Sequence, residues 1–109
     1  MAPLNVSWEQ ARYWGMIGTG GIGSGLFFAI DGDHTLGREE SRSGRFLDRR
    51  DYCKLHIISH YVKVLLGPTF QTILIGKVGA DPAGLRLMEE MAETGLDTRY
   101  VQVCPGKQT

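Results

Sequence analysis

The stretch from Phe70 to Val103, FQTILIGKVGADPAGLRLMEEMAETGLDTRYVQV, constrains the fold more than any other part of the chain. Phe70 to Ile75 is apolar and rich in β-branched residues, which suits a buried strand, and Gly76 and Gly79 let the backbone turn where side chains would obstruct it. Asp81 can accept hydrogen bonds from the free N–H groups of a helix start, Pro82 suits the first helical position, and Gly95 suits a left-handed stop. A helix is therefore expected over 82–94, with Leu85, Met88, Met91 and Ala92 towards a sheet and Arg86, Glu89, Glu90 and Glu93 towards water. Tyr100 to Val103 follows so closely that it should return to the same sheet, most simply through a crossover unit. A positive φ at Gly79 would make Gly79→Val destabilising.

The same residues resemble the N-terminal half of the ribokinase-like (PfkB) carbohydrate kinases. Those proteins carry a strand ending in a Gly-Lys-Val-Gly-x-Asp-x-x-Gly turn, then a helix ending near Gly-Val-Asp-Thr. The matching positions are Gly76, Lys77, Val78, Gly79, Asp81, Gly84, Gly95, Asp97 and Thr98, with Thr109 a few residues on. The resemblance implies an α/β fold, the N-terminal part of a Rossmann-type three-layer sandwich, with short lid strands. The chain has 109 residues and the proteins it resembles are longer, so residues 1–109 are expected to form an incomplete domain with 31–48 as lid or loop.

Twelve basic and twelve acidic residues leave no net charge to gather nucleic acid or an anionic membrane. The stretch GREESRSGRFLDRRD mixes both signs and reads as a solvated loop or edge strand. Cys53 and Cys104 belong to no CxxC pair and are expected to be reduced structural thiols. The uncharged run from Tyr13 to Ile30 approaches membrane-spanning length, but its glycines weaken a helix, and no basic cluster precedes it. A buried strand and turn, in a cytoplasmic protein, is the expectation.

Met1 to Ala11 shows no periodicity, strands are expected over 13–18 and 25–30, and GTGGIGSG forms a glycine-dense bend between them. Gly18, Gly20 and Gly23 satisfy GxGxxG after a strand, the pattern of a loop approaching a dinucleotide pyrophosphate, although no long helix follows. A purely structural turn is the plain alternative. The kinase resemblance offers a third reading, in which Gly21 and Gly23 stand where the family has an Asn and an Asp that bind sugar hydroxyls. Glycine leaves only backbone groups where a carboxylate would be a charge-assisted acceptor. His34 is a lone histidine in a polar segment, best read as exposed.

A second helix is expected over 51–66, with Leu55, Ile58, Val62 and Leu65 on one face, Asp51 as cap and Gly67-Pro68 as stop. His56, His60 and Lys63 fall on its more polar side. His56 and His60 have the spacing of metal ligands, but HIISH lacks the glutamate of HExxH and a third ligand, so no metal is expected. In the family this helix begins with Gly-Gly-x-x-x-Asn. Here Cys53 and Lys54 replace the glycines and Ile58 replaces the Asn, while Asp51, Tyr52, Lys54 and His56 form a different polar set, able to bind an anion or hydroxyl or simply to cap and solvate the helix.

The resemblance implies a parent protein that transfers the ATP γ-phosphoryl group, with Mg2+, to a sugar or nucleoside hydroxyl. The family's catalytic base and anion hole lie in a Gly-Ala-Gly-Asp motif near the C-terminus, with most of the ATP pocket, and no such motif occurs here. Residues 1–109 are thus expected to be inactive alone and to contribute Gly21, Gly23, Asp51 and Lys54 to an acceptor site. A dinucleotide-binding Rossmann oxidoreductase and a non-catalytic binding module are the alternatives. An uncovered sheet face should also favour self-association.

Overall fold

The computed structural model describes residues 2–109, the side chain of Arg50 excepted. Its elements are β1 (Gly15–Thr19), β2 (Ser24–Ile30), β3 (Gly44–Tyr52), α1 (Lys54–Leu66), β4 (Gln71–Gly79), α2 (Pro82–Glu93) and β5 (Asp97–Cys104). Strands β1, β4 and β5 form a parallel sheet in the order β1-β4-β5, and β2 and β3 form a separate antiparallel hairpin. Among the described residues no helix is long and apolar enough to cross a membrane.

The sheet follows the alternation of its strands. Thr72, Leu74 and Val78 of β4 and Val101 of β5 are buried against the helices. Ile17, Ile75 and Tyr100 point the other way and are 68%, 44% and 56% exposed. One layer of helices thus covers one face, and the described residues leave the other face bare. The core joins Leu74, Leu87, Met91, Leu96 and Val101 with Ile22 and Leu55, and Tyr52 and Met88 pack on its edge.

Helix α2 starts as its sequence indicates. Asp81 is the N-cap and accepts from the Gly84 amide, with Pro82 behind it, and Gly95 has φ 88° just past the Thr94 C-cap. Its buried face is Gly84, Leu87 and Met91, whereas Leu85 is 54% exposed and Ala92 is exposed. The helix is therefore rotated from the expected apolar stripe, because Gly84 seats the first turn against the end of β4. A Cβ there would strike the Gly79 carbonyl oxygen and lie 2.6 Å from Thr109 Oγ1.

Helix α1 is also rotated from its expected stripe, in the opposite sense. Leu55, His56 and Ser59 are its buried residues, and Ile58 is 55% exposed. Small groups decide this: a Cβ on Gly18 would lie 2.6 Å from Leu55 Cδ1, with Ser59 Oγ at 3.8 Å. The seating of the Leu55 and Ser59 side chains over Gly18 outweighs the apolarity of Ile58. His56, expected on the polar side, is consequently buried.

Three boundaries also differ from the sequence reading. Strand β4 runs on through Gly76 to Gly79, and neither glycine has positive φ; they are needed because Ile22 lies over Gly76 and the backbone of Lys107 and Gln108 lies over Gly79. Strand β3 occupies 44–52, so residues 44–48 of the segment expected as lid or loop belong to a strand that continues beyond it. Asp51 belongs to that strand and does not cap α1, whose N-cap is Cys53 without a side-chain hydrogen bond. Phe46 faces Phe28 across the hairpin, ring centroids 5.0 Å apart, and the guanidinium of Arg49 stands 4.8 Å over the Phe27 ring. At the hairpin end Arg42 donates to the carbonyls of Asp31 and His34 and to the Glu40 carboxylate, which ties down 31–43.

Candidate functional site

Strand β1 stops at Thr19, level with Ile75 of β4 and Tyr100 of β5, while its two neighbours continue. The chain leaves the sheet there through Gly20, which has φ 154°, and Gly21. A cleft of about 560 Å³ opens at this step on the bare face, lined among others by Thr19, Gly20, Gly21, Lys77, Tyr100 and Gln102. Parallel α/β sheets bind ligands outside the carboxyl ends of their strands, and this cleft lies at such an end.

Its chemistry is mixed. Thr19, Gln102 and Tyr100 provide hydroxyl and amide groups that donate and accept, the Tyr100 ring offers an apolar surface, and Lys77 adds a cation. Lys77 and Gln102 are register partners, two residues along the strands from the Thr19–Ile75–Tyr100 row and on the same face.

The four site residues read from the sequence meet at one junction but do not all reach the cleft. Gly21 lines it. Gly23 sits beside the start of α1, its carbonyl accepting from the Cys53 amide at 3.4 Å. A Cβ on Gly23 would lie 3.1 Å from Cys53 Sγ. Asp51 stands opposite Gly25 in the hairpin, with Oδ1 accepting from the Tyr52 amide at 2.9 Å. Lys54 is the exposed first residue of α1. Sequence reasoning noticed Lys77 only as part of the turn motif and missed Thr19, Tyr100 and Gln102. The alternation of β4 was the available signal, since it puts Lys77 on the face opposite Leu74 and Val78.

The glycine bend does not lead into a helix. It runs from β1 directly into strand β2, so the helix N-terminus that a dinucleotide pyrophosphate requires after GxGxxG is missing. At the start of α2 the Asp81 carboxylate takes the Gly84 amide, and its negative charge opposes a phosphate there.

A larger cavity, about 600 Å³, lies between α1 and α2 away from the strand ends and is lined in part by Tyr52, His56, His60, Glu90 and Glu93. Burial holds the His56 imidazole below its ordinary pKa, and nearby His60 adds to this while the Glu90 charge opposes it. Among the described residues no group of three His, Cys, Asp or Glu side chains could hold a metal ion.

No protein-family model matches the sequence, and no curated protein matches it. Solved structures do. A candidate ribokinase from Agrobacterium tumefaciens superposes with TM-score 0.64 at 22% identity, covering 89% of this chain and 30% of its own length. A candidate sugar kinase from Clostridium perfringens gives 0.61 at 16% identity, covering 92% of this chain and 29% of its own. The chain has a ribokinase-like fold. A fructokinase from Xylella fastidiosa, at TM-score 0.54 and 15% identity, covers 87% of the chain and 26% of its own length. The ribokinase-like chain thus spans less than a third of the structures it resembles, and the shared part is an N-terminal portion of that fold. At these identities the likeness is one of fold.

Proposed function

We propose that this chain forms the acceptor-binding part of a kinase that transfers the ATP γ-phosphoryl group to a sugar or nucleoside hydroxyl. The observation that carries this reading is the cleft where β1 stops, with its hydroxyl, amide and ring groups at the carboxyl end of a ribokinase-like sheet. Thr19 and Gln102 hold acceptor hydroxyls there, and Tyr100 packs on the apolar face of the sugar. Gly21 lets the acceptor approach the backbone. Gly23, Asp51 and Lys54 form the adjoining rim, where Asp51 accepts from hydroxyls and Lys54 donates to them.

ATP and Mg2+ belong in this reading to the longer parent protein. The described residues offer no three-ligand metal cluster, and the Asp81 carboxylate takes the Gly84 amide at the start of α2. No transfer step is therefore assigned to residues 1–109, whose part is to bind and orient the acceptor. A non-catalytic binding module is the second reading, favoured by glycines at positions 21 and 23 in place of side chains that grip hydroxyls.

Calorimetry with pentoses, hexoses and nucleosides, alongside a coupled ADP-release assay, tests the proposal. Acceptor binding without ADP release is expected from residues 1–109, and ADP release from a longer protein that contains them. Turnover by residues 1–109 alone would overturn the division of labour. Unaltered acceptor affinity in Asp51→Ala and Lys54→Ala would remove those residues from the rim.

A further inference from the structure

The charge of the cleft is one-sided. Lys77 is its cation, and none of the residues lining it is acidic. Lys77 lies exposed on the bare face, and among the described residues no carboxylate pairs with it. The glycines at positions 21 and 23 add no acceptor charge. A site for a neutral polyol grips hydroxyls best with a carboxylate, which is acceptor-only, whereas an unpaired ammonium beside an amide and a hydroxyl suits a ligand that brings its own negative charge.

We infer that the cleft takes a polyol with an anionic terminus, a sugar acid or sugar phosphate, and that Lys77 selects the charge. This rests on the reading that the cleft binds the acceptor, and it names the class of acceptor. The register sets the geometry: Lys77 lies two residues beyond Ile75, roughly 7 Å along the strand at about 3.3 Å per residue. The row of Thr19 and Tyr100 therefore meets hydroxyls at one end of a short carbon chain while Lys77 meets the anion at the other, with Gln102 beside it. The Tyr100 ring covers the carbon skeleton between them.

Calorimetry and amide chemical-shift mapping on residues 1–109 without nucleotide test this, using gluconate, glucose 6-phosphate, glucose, acetate and inorganic phosphate as probes. Gluconate or glucose 6-phosphate is expected to bind about tenfold tighter than glucose, the scale of a charge-assisted contact, and tighter than acetate or phosphate. Comparison of the two sugar anions tells a carboxylate site from a phosphate site. The amides of Gly20, Gly21 and Gln102 should shift, Lys77→Arg should keep the preference, and Lys77→Gln should bring the ratio to glucose close to one. Equal binding of glucose and gluconate by the unaltered chain, or acetate and phosphate binding as well as the sugar anions, overturns the inference without any variant. Failure of a longer protein to release ADP would remove the kinase reading and leave the anion preference standing.

Discussion

Thr109 closes back onto Asp81: its amide donates to Oδ2 at 2.8 Å and its hydroxyl to Oδ1 at 2.6 Å. The same Oδ1 accepts from the Gly84 amide at 2.8 Å, and Thr109 Oγ1 accepts in turn from the Gly79 amide at 2.8 Å. One carboxylate and one hydroxyl thereby pin the end of β4, the start of α2 and the segment after β5 together. The Thr109 hydrogen bonds, then that from Gly84, hold the Asp81 carboxyl below its ordinary pKa.

A carboxyl so held binds its proton less readily folded than unfolded. Its contribution is complete above the ordinary carboxylate range and is lost as pH falls through that range and then through the depressed native value. Asp81→Asn should therefore lower the melting temperature at neutral pH and flatten its decline in acid, and Thr109→Val should do the same more weakly. Thermal melts across the acid range check this. Parallel curves for Asp81→Asn and the unaltered chain would show the lock to be energetically idle.

Gly79→Val should destabilise the fold by about 1–3 kcal/mol, the usual scale of overpacking. The cause is steric, since a side chain there meets the backbone of Lys107 and Gln108, which cannot give as a side-chain tip can. Gly76→Ala should cost less, because the atom it meets first is Ile22 Cδ1. Equal denaturant midpoints for the two variants would reject this account of the turn.

Much of this region was legible because its signals are local. Asp81, Pro82 and Gly95 act within one helical turn of their own positions, so the sequence alone locates α2. Strand β3 was legible only as a solvated loop or edge strand, because FLDRRDY carries charges on both faces of the hairpin and period-2 hydrophobicity cannot mark such a strand. The facing of α1 depends on Gly18 of β1, distant in sequence, so Ile58 looked buried and His56 looked exposed. The cleft was illegible for the same reason: Thr19, Lys77 and Gln102 become neighbours only through the β1-β4-β5 register.

Leu87→Ala should destabilise by about 2–5 kcal/mol, since Leu87 is fully buried in the core. Leu85→Ala on the same helix should change stability by no more than about 0.5 kcal/mol, as for ordinary surface positions. Chemical denaturation of both variants tests which face of α2 meets the sheet. The reverse ranking would restore the stripe that simple periodicity suggests.

His56 gives the fold a second pH dependence at milder acidity. Its pKa is lowered by burial, so the unfolded imidazole takes up a proton near its ordinary pKa of about 6.5 while the folded one does not. Stability is therefore complete above that value and falls with pH between it and the lowered native value. His60 and Glu90 shape the size of this drop by acting in opposite senses on the same ring. Melting temperature should begin to decline below about pH 6.5, and His56→Leu should remove that early decline while leaving the later carboxylate-driven one. A decline unchanged in His56→Leu would assign the proton to another group.

The bare face of the sheet should make residues 1–109 self-associate. Ile17, Ile75 and Tyr100 present an apolar surface on the side away from both helices, and among the described residues β1 and β5 are the edges of the sheet. Burial of such a face returns about 25 cal/mol for each Å² of apolar surface removed from water, and pairing of an edge satisfies its amides. Ile17→Thr tests the contribution of the face, because Ile17 is 68% exposed and its replacement removes apolar surface without opening the core. Sedimentation should show concentration-dependent association of the unaltered chain, with binding of a hydrophobic dye, and Ile17→Thr should weaken both while leaving the melting temperature nearly unchanged. A stable monomer that binds no dye would mean that the exposed face is too divided by Thr19, Lys77 and Gln102 to act as one surface.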